Sequence, residues 1–104
     1  MRGIVVITAT PDLKSAKKIA RFLVTQKLAA CVSIRSGFIS TYSWKGRIER
    51  SNEAMLWIKT LKKIFPKVKK AIQSMHPYEL PEILALPIIE GSREYLSWMK
   101  KGVR

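Results

Sequence analysis

Phe38-Ile39-Ser40-Thr41-Tyr42-Ser43-Trp44-Lys45-Gly46-Arg47-Ile48-Glu49 reads as the middle of a long β-hairpin. Phe38, Ile39, Thr41, Tyr42 and Trp44 carry the β-branched and aromatic character of an outgoing strand, and Lys45-Gly46 carries that of a tight turn. The chain returns as a strand from Ile48 to Thr60, with Met55-Leu56-Trp57-Ile58 as its apolar segment. Upstream, Ala30 to Ile34 is a strand, and Ser36-Gly37 suggests a bulge or bend between it and Phe38. Arms of this length overhang any body that 104 residues can build. They expose aromatic surface and sheet edges, and such edges need a partner.

Outward from the hairpin, the flanks alternate helix and strand. Gly3 to Thr8 is a short, β-branched, buried strand. Thr10-Pro11-Asp12 offers helix-start chemistry. Ala16, Ile19, Ala20, Leu23 and Val24 then follow the spacing of one helical face, so a helix runs from about Asp12 to Gln26. On the far side, Leu61, Ile64, Phe65, Val68, Ile72 and Met75 form a second helical stripe. Pro66 fits only the first turn, so this helix starts near Lys62 to Phe65. It ends at His76-Pro77, because the residue before a proline avoids the helical region. Ile83 to Ile89 is the last strand, with Pro81 and Pro87 near its ends. Gly91-Ser92 opens a short C-terminal helix carrying Tyr95, Leu96, Trp98 and Met99. The order β-α-β-β-α-β predicts an α+β fold in one domain over residues 1–104. It is the ferredoxin-like split βαββαβ arrangement, an antiparallel sheet with two helices on one face, extended by the long hairpin and the terminal helix. That fold hosts many functions and decides none.

Composition narrows the classes. No apolar run reaches the roughly 18 residues of a membrane span, and no signal-peptide pattern is present at the start, so the cytoplasm is the expected compartment. One cysteine, Cys31, excludes an intramolecular disulfide and a cysteine-rich zinc site. In its apolar setting it reads as a small hydrophobe, with a reactive thiolate as the alternative. Five scattered glycines match no phosphate-cradling loop. A Ser-His-Asp triad would need Asp12 beside His76, at the ends of different helices, so the chain is not read as an enzyme. Glu49 and Glu53 share a strand face if no bulge intervenes, either as a carboxylate pair or as surface partners for lysines. The formal charge of +13 predicts attraction to anionic partners. The helix lysines read as solvated faces, and the aromatic pattern of sheet-face RNA binders is missing. Specific nucleic-acid recognition is therefore not expected, whereas weak salt-sensitive binding is.

His76 is the one side chain that titrates near neutrality without a shifted pKa. It stands at a helix C-terminus, where the dipole favours its charged form. Met75, a soft donor, and Glu79 or Glu82 add ligand capacity nearby. A single histidine makes a weak metal site unless a symmetric oligomer supplies further donors. The plain alternative is a capping histidine hydrogen-bonded within its turn.

Four ordered motifs then resemble one family. They are Ala29-Ala30-Cys31-Val32, Tyr42-Ser43-Trp44-Lys45-Gly46-Arg47-Ile48-Glu49, His76-Pro77-Tyr78-Glu79-Leu80-Pro81-Glu82 and Tyr95-Leu96-Ser97-Trp98. Their order and spacing are similar to those of the CutA divalent-cation tolerance proteins. The resemblance covers Thr10-Pro11-Asp12 through Trp98. It implies a homotrimer assembled like the PII signalling proteins, a role in the response to metal ions, and copper or another divalent cation as ligand, with none required for folding. It implies a cleft between subunits with Tyr42, Trp44, Lys59, Tyr78, Glu79 and Glu82, and His76 with Met75 as metal contacts. Of the family's proposed copper ligands, a cysteine and two adjacent histidines, this chain keeps His76 and has Thr8 and Met75 at the other positions. The alternative is a PII-like sensor or interaction module that takes a small anionic ligand or a protein in that cleft.

Overall fold

Alternation along the first strand sets up the two faces of the sheet. In the computed structural model, which describes residues 2–104, β1 (Gly3–Thr10) buries Ile4, Val6, Thr8 and Thr10 toward the helices. Val5 and Ile7 lie half-buried on the opposite side. The strand runs two residues beyond the expected end at Thr8. After it come α1 (Leu13–Thr25), β2 (Cys31–Trp44) and β3 (Arg47–Leu61). A 3-10 turn at Lys62–Ile64 leads into α2 (Phe65–Met75), followed by β4 (Leu84–Pro87) and α3 (Arg93–Lys101). The strands lie in the order β2-β3-β1-β4, all neighbours antiparallel. This is the α+β arrangement expected from the element order.

Both long helices pack on one sheet face. Ala16, Ile19 and Leu23 of α1 and Val68 and Ile72 of α2 meet Val6, Leu56 and Ile58 in one buried cluster. Each fully buried Leu, Ile or Val contributes about 1.5–3 kcal/mol. Local chemistry sets the helix ends. Asp12 Oδ1 accepts the Ser15 N–H at 2.7 Å, and that bond holds the carboxyl pKa below its ordinary value. Pro66 sits in the first turn of α2, as its missing N–H requires. Past the end of α1, Lys27 is left-handed at φ 59°. There the Leu28 N–H reaches Leu23 O and the Lys27 N–H reaches Val24 O, a capping motif that ordinarily selects glycine.

The hairpin has the expected parts. Register shifts between Arg35 and Phe38, where Gly37 takes φ 86°, so the bulge falls at Ser36-Gly37. Lys45 and Gly46 both have positive φ, 52° and 78°, which suits a two-residue hairpin turn. β1 stops pairing with β3 at Thr10↔Ala54. The seven pairs from Phe38↔Glu53 to Trp44↔Arg47 therefore project beyond the body, by about 20 Å at ~3.4 Å per residue. The molecule is accordingly elongated, 45 × 25 × 23 Å.

β4 is shorter than the expected Ile83 to Ile89. It pairs only with β1, from Ile7↔Leu84 to Ile4↔Pro87, and a proline at its end cannot extend the ladder. Across the face away from the helices, Ile7 stands between Trp57 and Leu84, and Val5 beside Leu86. Leu84 and Leu86 keep 54% and 50% of their surface exposed. The Phe38 ring lies 5.6 Å from that of Trp57 on the same face. The sheet thus has a helix-covered face and an open apolar face.

Candidate functional site

The segment after α2 crosses the end of the sheet to reach β4, and it carries His76 to Glu82 past the root of the hairpin. His76 is the C-cap of α2 and is only 8% exposed. Its Nε2 lies 2.7 Å from Ala9 O, and its Nδ1 accepts the Tyr78 N–H at 3.1 Å. A carbonyl can only accept and an amide N–H can only donate, so these partners place the proton on Nε2. Burial pushes the His76 pKa below its ordinary value, outweighing the Ala9 hydrogen bond and the Glu53 charge, which raise it. This corrects the expectation that the helix end favours the charged ring. The dipole acts on an exposed group at the last turn, whereas this ring is turned inward against β1.

Tyr78 continues the network. Its ring lies 4.9 Å from the His76 ring, and its hydroxyl donates to Glu53 Oε2 at 2.9 Å. Burial, followed by the Glu53 hydrogen bond and charge, raises the Tyr78 pKa to about 12. The Ser51 hydroxyl is 3.4 Å from that of Tyr42, a diagonal contact two rungs apart on the hairpin.

Beneath this segment lies an open hollow of about 560 Å³. Ala9 forms its floor, Ser40, Thr41, Tyr42 and Trp44 of β2 one wall, and Glu53 with Tyr78, Glu79, Leu80 and Glu82 the other. Five of the six cleft residues expected from sequence meet here: Tyr42, Trp44, Tyr78, Glu79 and Glu82. Lys59 does not join them. It lies farther along β3, opposite Val5 and Cys31, and its Nζ donates to Ser33 Oγ at 2.6 Å. Glu53 is the residue the cleft assignment lacked. Its carboxylate was visible in the sequence, but only the register that pairs it with Phe38, and the return of Tyr78, put it in the wall.

The hollow is acidic in a basic protein. Glu53, Glu79 and Glu82 are three of the seven acidic residues in the chain, and no Lys or Arg lines the space. Even so, among the described residues no group of three or more His, Cys, Asp or Glu side chains converges to hold a metal ion. His76 already spends both ring nitrogens on partners within the chain, and Met75 is half-buried against the core. Thr8 is fully buried, and its Oγ1 finds no hydrogen-bond partner among the described residues. Cys31 is half-buried. It lies beside Tyr95, whose pKa is raised by burial and, secondarily, by Cys31. No helix among the described residues is long and apolar enough to cross a membrane.

Comparison with known proteins agrees with this architecture. Residues 4–102 match the model of the CutA1 divalent ion tolerance protein family. A divalent-cation tolerance protein CutA of Thermus thermophilus is 45% identical over 94% of this chain and 95% of its own length. The chloroplastic protein CutA of Arabidopsis thaliana is 40% identical over 98% of this chain, which spans 56% of that longer protein. Among solved structures, the Thermus thermophilus divalent cation tolerance protein superposes with a TM-score of 0.96 at 43% identity, covering 98% of this chain and 99% of that one.

Proposed function

The chain belongs to the CutA1 divalent ion tolerance family, and on that premise we propose that it acts in the response to divalent cations as a homotrimer, meeting the cation at the acidic hollow. The observation that carries this reading is the sign of the hollow: three carboxylates and no cationic side chain, in a chain of charge +13. Carboxylate oxygens suit hard divalent cations. One subunit offers no closed donor set, so a neighbouring copy supplies what the hollow lacks.

The open face supports three-fold assembly. It is apolar across Val5, Ile7, Trp57, Leu84 and Leu86, and the overhanging hairpin leaves strand edges that a second and third copy can cover. The anionic-ligand form of the sensor reading draws on Lys59, which lies outside the hollow of the single chain. Copper at His76 and Met75 is the other form of the metal reading. It requires Nδ1 to release the Tyr78 amide, at the cost of a partly buried hydrogen bond.

Titration calorimetry with Cu²⁺, Zn²⁺ and Mn²⁺ tests the assignment. The Glu53→Gln, Glu79→Gln, Glu82→Gln triple variant should lose binding, and His76→Ala should keep it. Loss only in His76→Ala would move the site to the histidine. No binding by the wild-type trimer would refute a direct contact with the cation.

A further inference from the structure

The helix layer carries a charge pattern that the cation reading does not use. Residues 13–27 and 62–76 hold ten of the twenty basic residues and none of the seven acidic ones. The two helices pack side by side on the same sheet face, so their outer surfaces form one continuous basic field. Lys14, Lys18 and Arg21 fall on the side of α1 opposite Ala16, Ile19 and Leu23, and all three are exposed. Lys67 and Lys70 are exposed on α2. A helix face kept only for solubility mixes both signs, with acids four residues from bases supporting the helix. Here like charges stand at i, i+4 and i, i+3, which destabilises an isolated helix.

We propose that this layer is a sequence-independent binding surface for the phosphate backbone of duplex nucleic acid. Three observations select that partner. Lysine predominates, and its ammonium is a flexible point charge suited to phosphate contact rather than to reading base edges. Single strands are held by stacking aromatics interleaved with cations; Phe22 is the only aromatic on α1, and Phe65, on α2, is half-buried against the core. A membrane-surface helix needs a continuous apolar face to insert; the main apolar faces of α1 and α2 are spent on the core, and of their large apolar side chains only Leu13, Phe22 and Val24 are exposed, at 40–43%. The surface lies on the opposite side of the sheet from the open apolar face, so assembly through that face leaves it available.

The test is fluorescence anisotropy of mixed-sequence DNA duplexes with the full chain across a salt series. About five phosphate contacts give a log–log slope near −4.5, hence a loss of roughly 500-fold between 50 and 200 mM salt. Unrelated duplexes should bind alike. A variant with Lys14→Glu, Lys18→Glu, Lys67→Glu and Lys70→Glu should lose binding. A control with Arg93→Glu, Lys100→Glu, Lys101→Glu and Arg104→Glu, which makes the same change in net charge, should bind at least about tenfold tighter than that variant. Circular dichroism melts confirm that both sets fold. Equal losses in the two sets, no binding by the wild type at low salt, or binding to phosphatidylserine vesicles without binding to duplex would each overturn the proposal.

Discussion

Replacing Thr8 by Val should stabilise the protein. Three threonines are fully buried on the helix side of the sheet: Thr8, Thr10 and Thr60. Thr10 Oγ1 donates to Asp12 O at 2.7 Å and Thr60 Oγ1 donates to Leu28 O at 2.6 Å. Thr8 Oγ1 has no such partner among the described residues. A buried hydroxyl without a hydrogen bond costs about 1–3 kcal/mol. Valine has nearly the same shape and favours strands at least as strongly, so Thr8→Val removes the penalty without opening a cavity. The expected gain is about 1–2 kcal/mol. Thr60→Val removes the donor that satisfies the Leu28 carbonyl and should lose about 1 kcal/mol. Thermal melts at matched protein concentration read both changes, since the proposed assembly would make Tm concentration-dependent. In a domain of this size each ~1 kcal/mol moves Tm by about 4–8 °C. If Thr8→Val melts at or below the wild type, or if Thr8→Val and Thr60→Val shift in the same direction, the hydroxyl accounting is wrong.

Other consequences are open to measurement. His76 has a lowered pKa in the fold, so between pH 6.5 and that lower value the unfolded chain binds the proton and the native chain does not. Stability should be full above about pH 6.5 and fall as pH drops below it, and urea midpoints of His76→Gln should lose that slope. Tyr78 should titrate near pH 12, and ultraviolet difference titration of Tyr78→Phe should lack a step there. On the proposed assembly through the open face, Leu86→Glu, at a side chain half exposed in the single chain, should give smaller species in sedimentation velocity while circular dichroism stays native. Lys27→Gly relieves a left-handed lysine and should raise stability by about 0.5–1 kcal/mol in chemical denaturation.

Much of the fold is legible along the chain because its signals are local. Apolar spacing marks α1 and α2, Pro66 marks the start of the second, and Gly37 and Gly46 mark a bulge and a turn that need positive φ. These features depend on backbone sterics and on which face a side chain meets, and both repeat with a fixed period. The end of α1 near Gln26 is legible in the same way, but not the cap that closes it, which holds a left-handed lysine where propensity asks for glycine. The site, too, is legible only in part. Tyr42, Trp44 and Tyr78 stand out as aromatic residues in motifs, but nothing local assigns Lys59 to a different part of β3 from Glu53.

Sequence alone determined the element order, the hairpin and its overhang, the family and the excess of positive charge. Tertiary structure decided how that charge is divided. The sheet register draws Glu53 under Tyr78 and leaves Lys59 behind, so the hollow is acidic while the helix layer is basic. It also decided the state of His76. The helix end by itself favours a charged ring, but burial desolvates the ring and lowers its pKa despite the opposing hydrogen bond to Ala9. Both outcomes rest on contacts between residues distant in the chain, whose energies exist only once the sheet has closed.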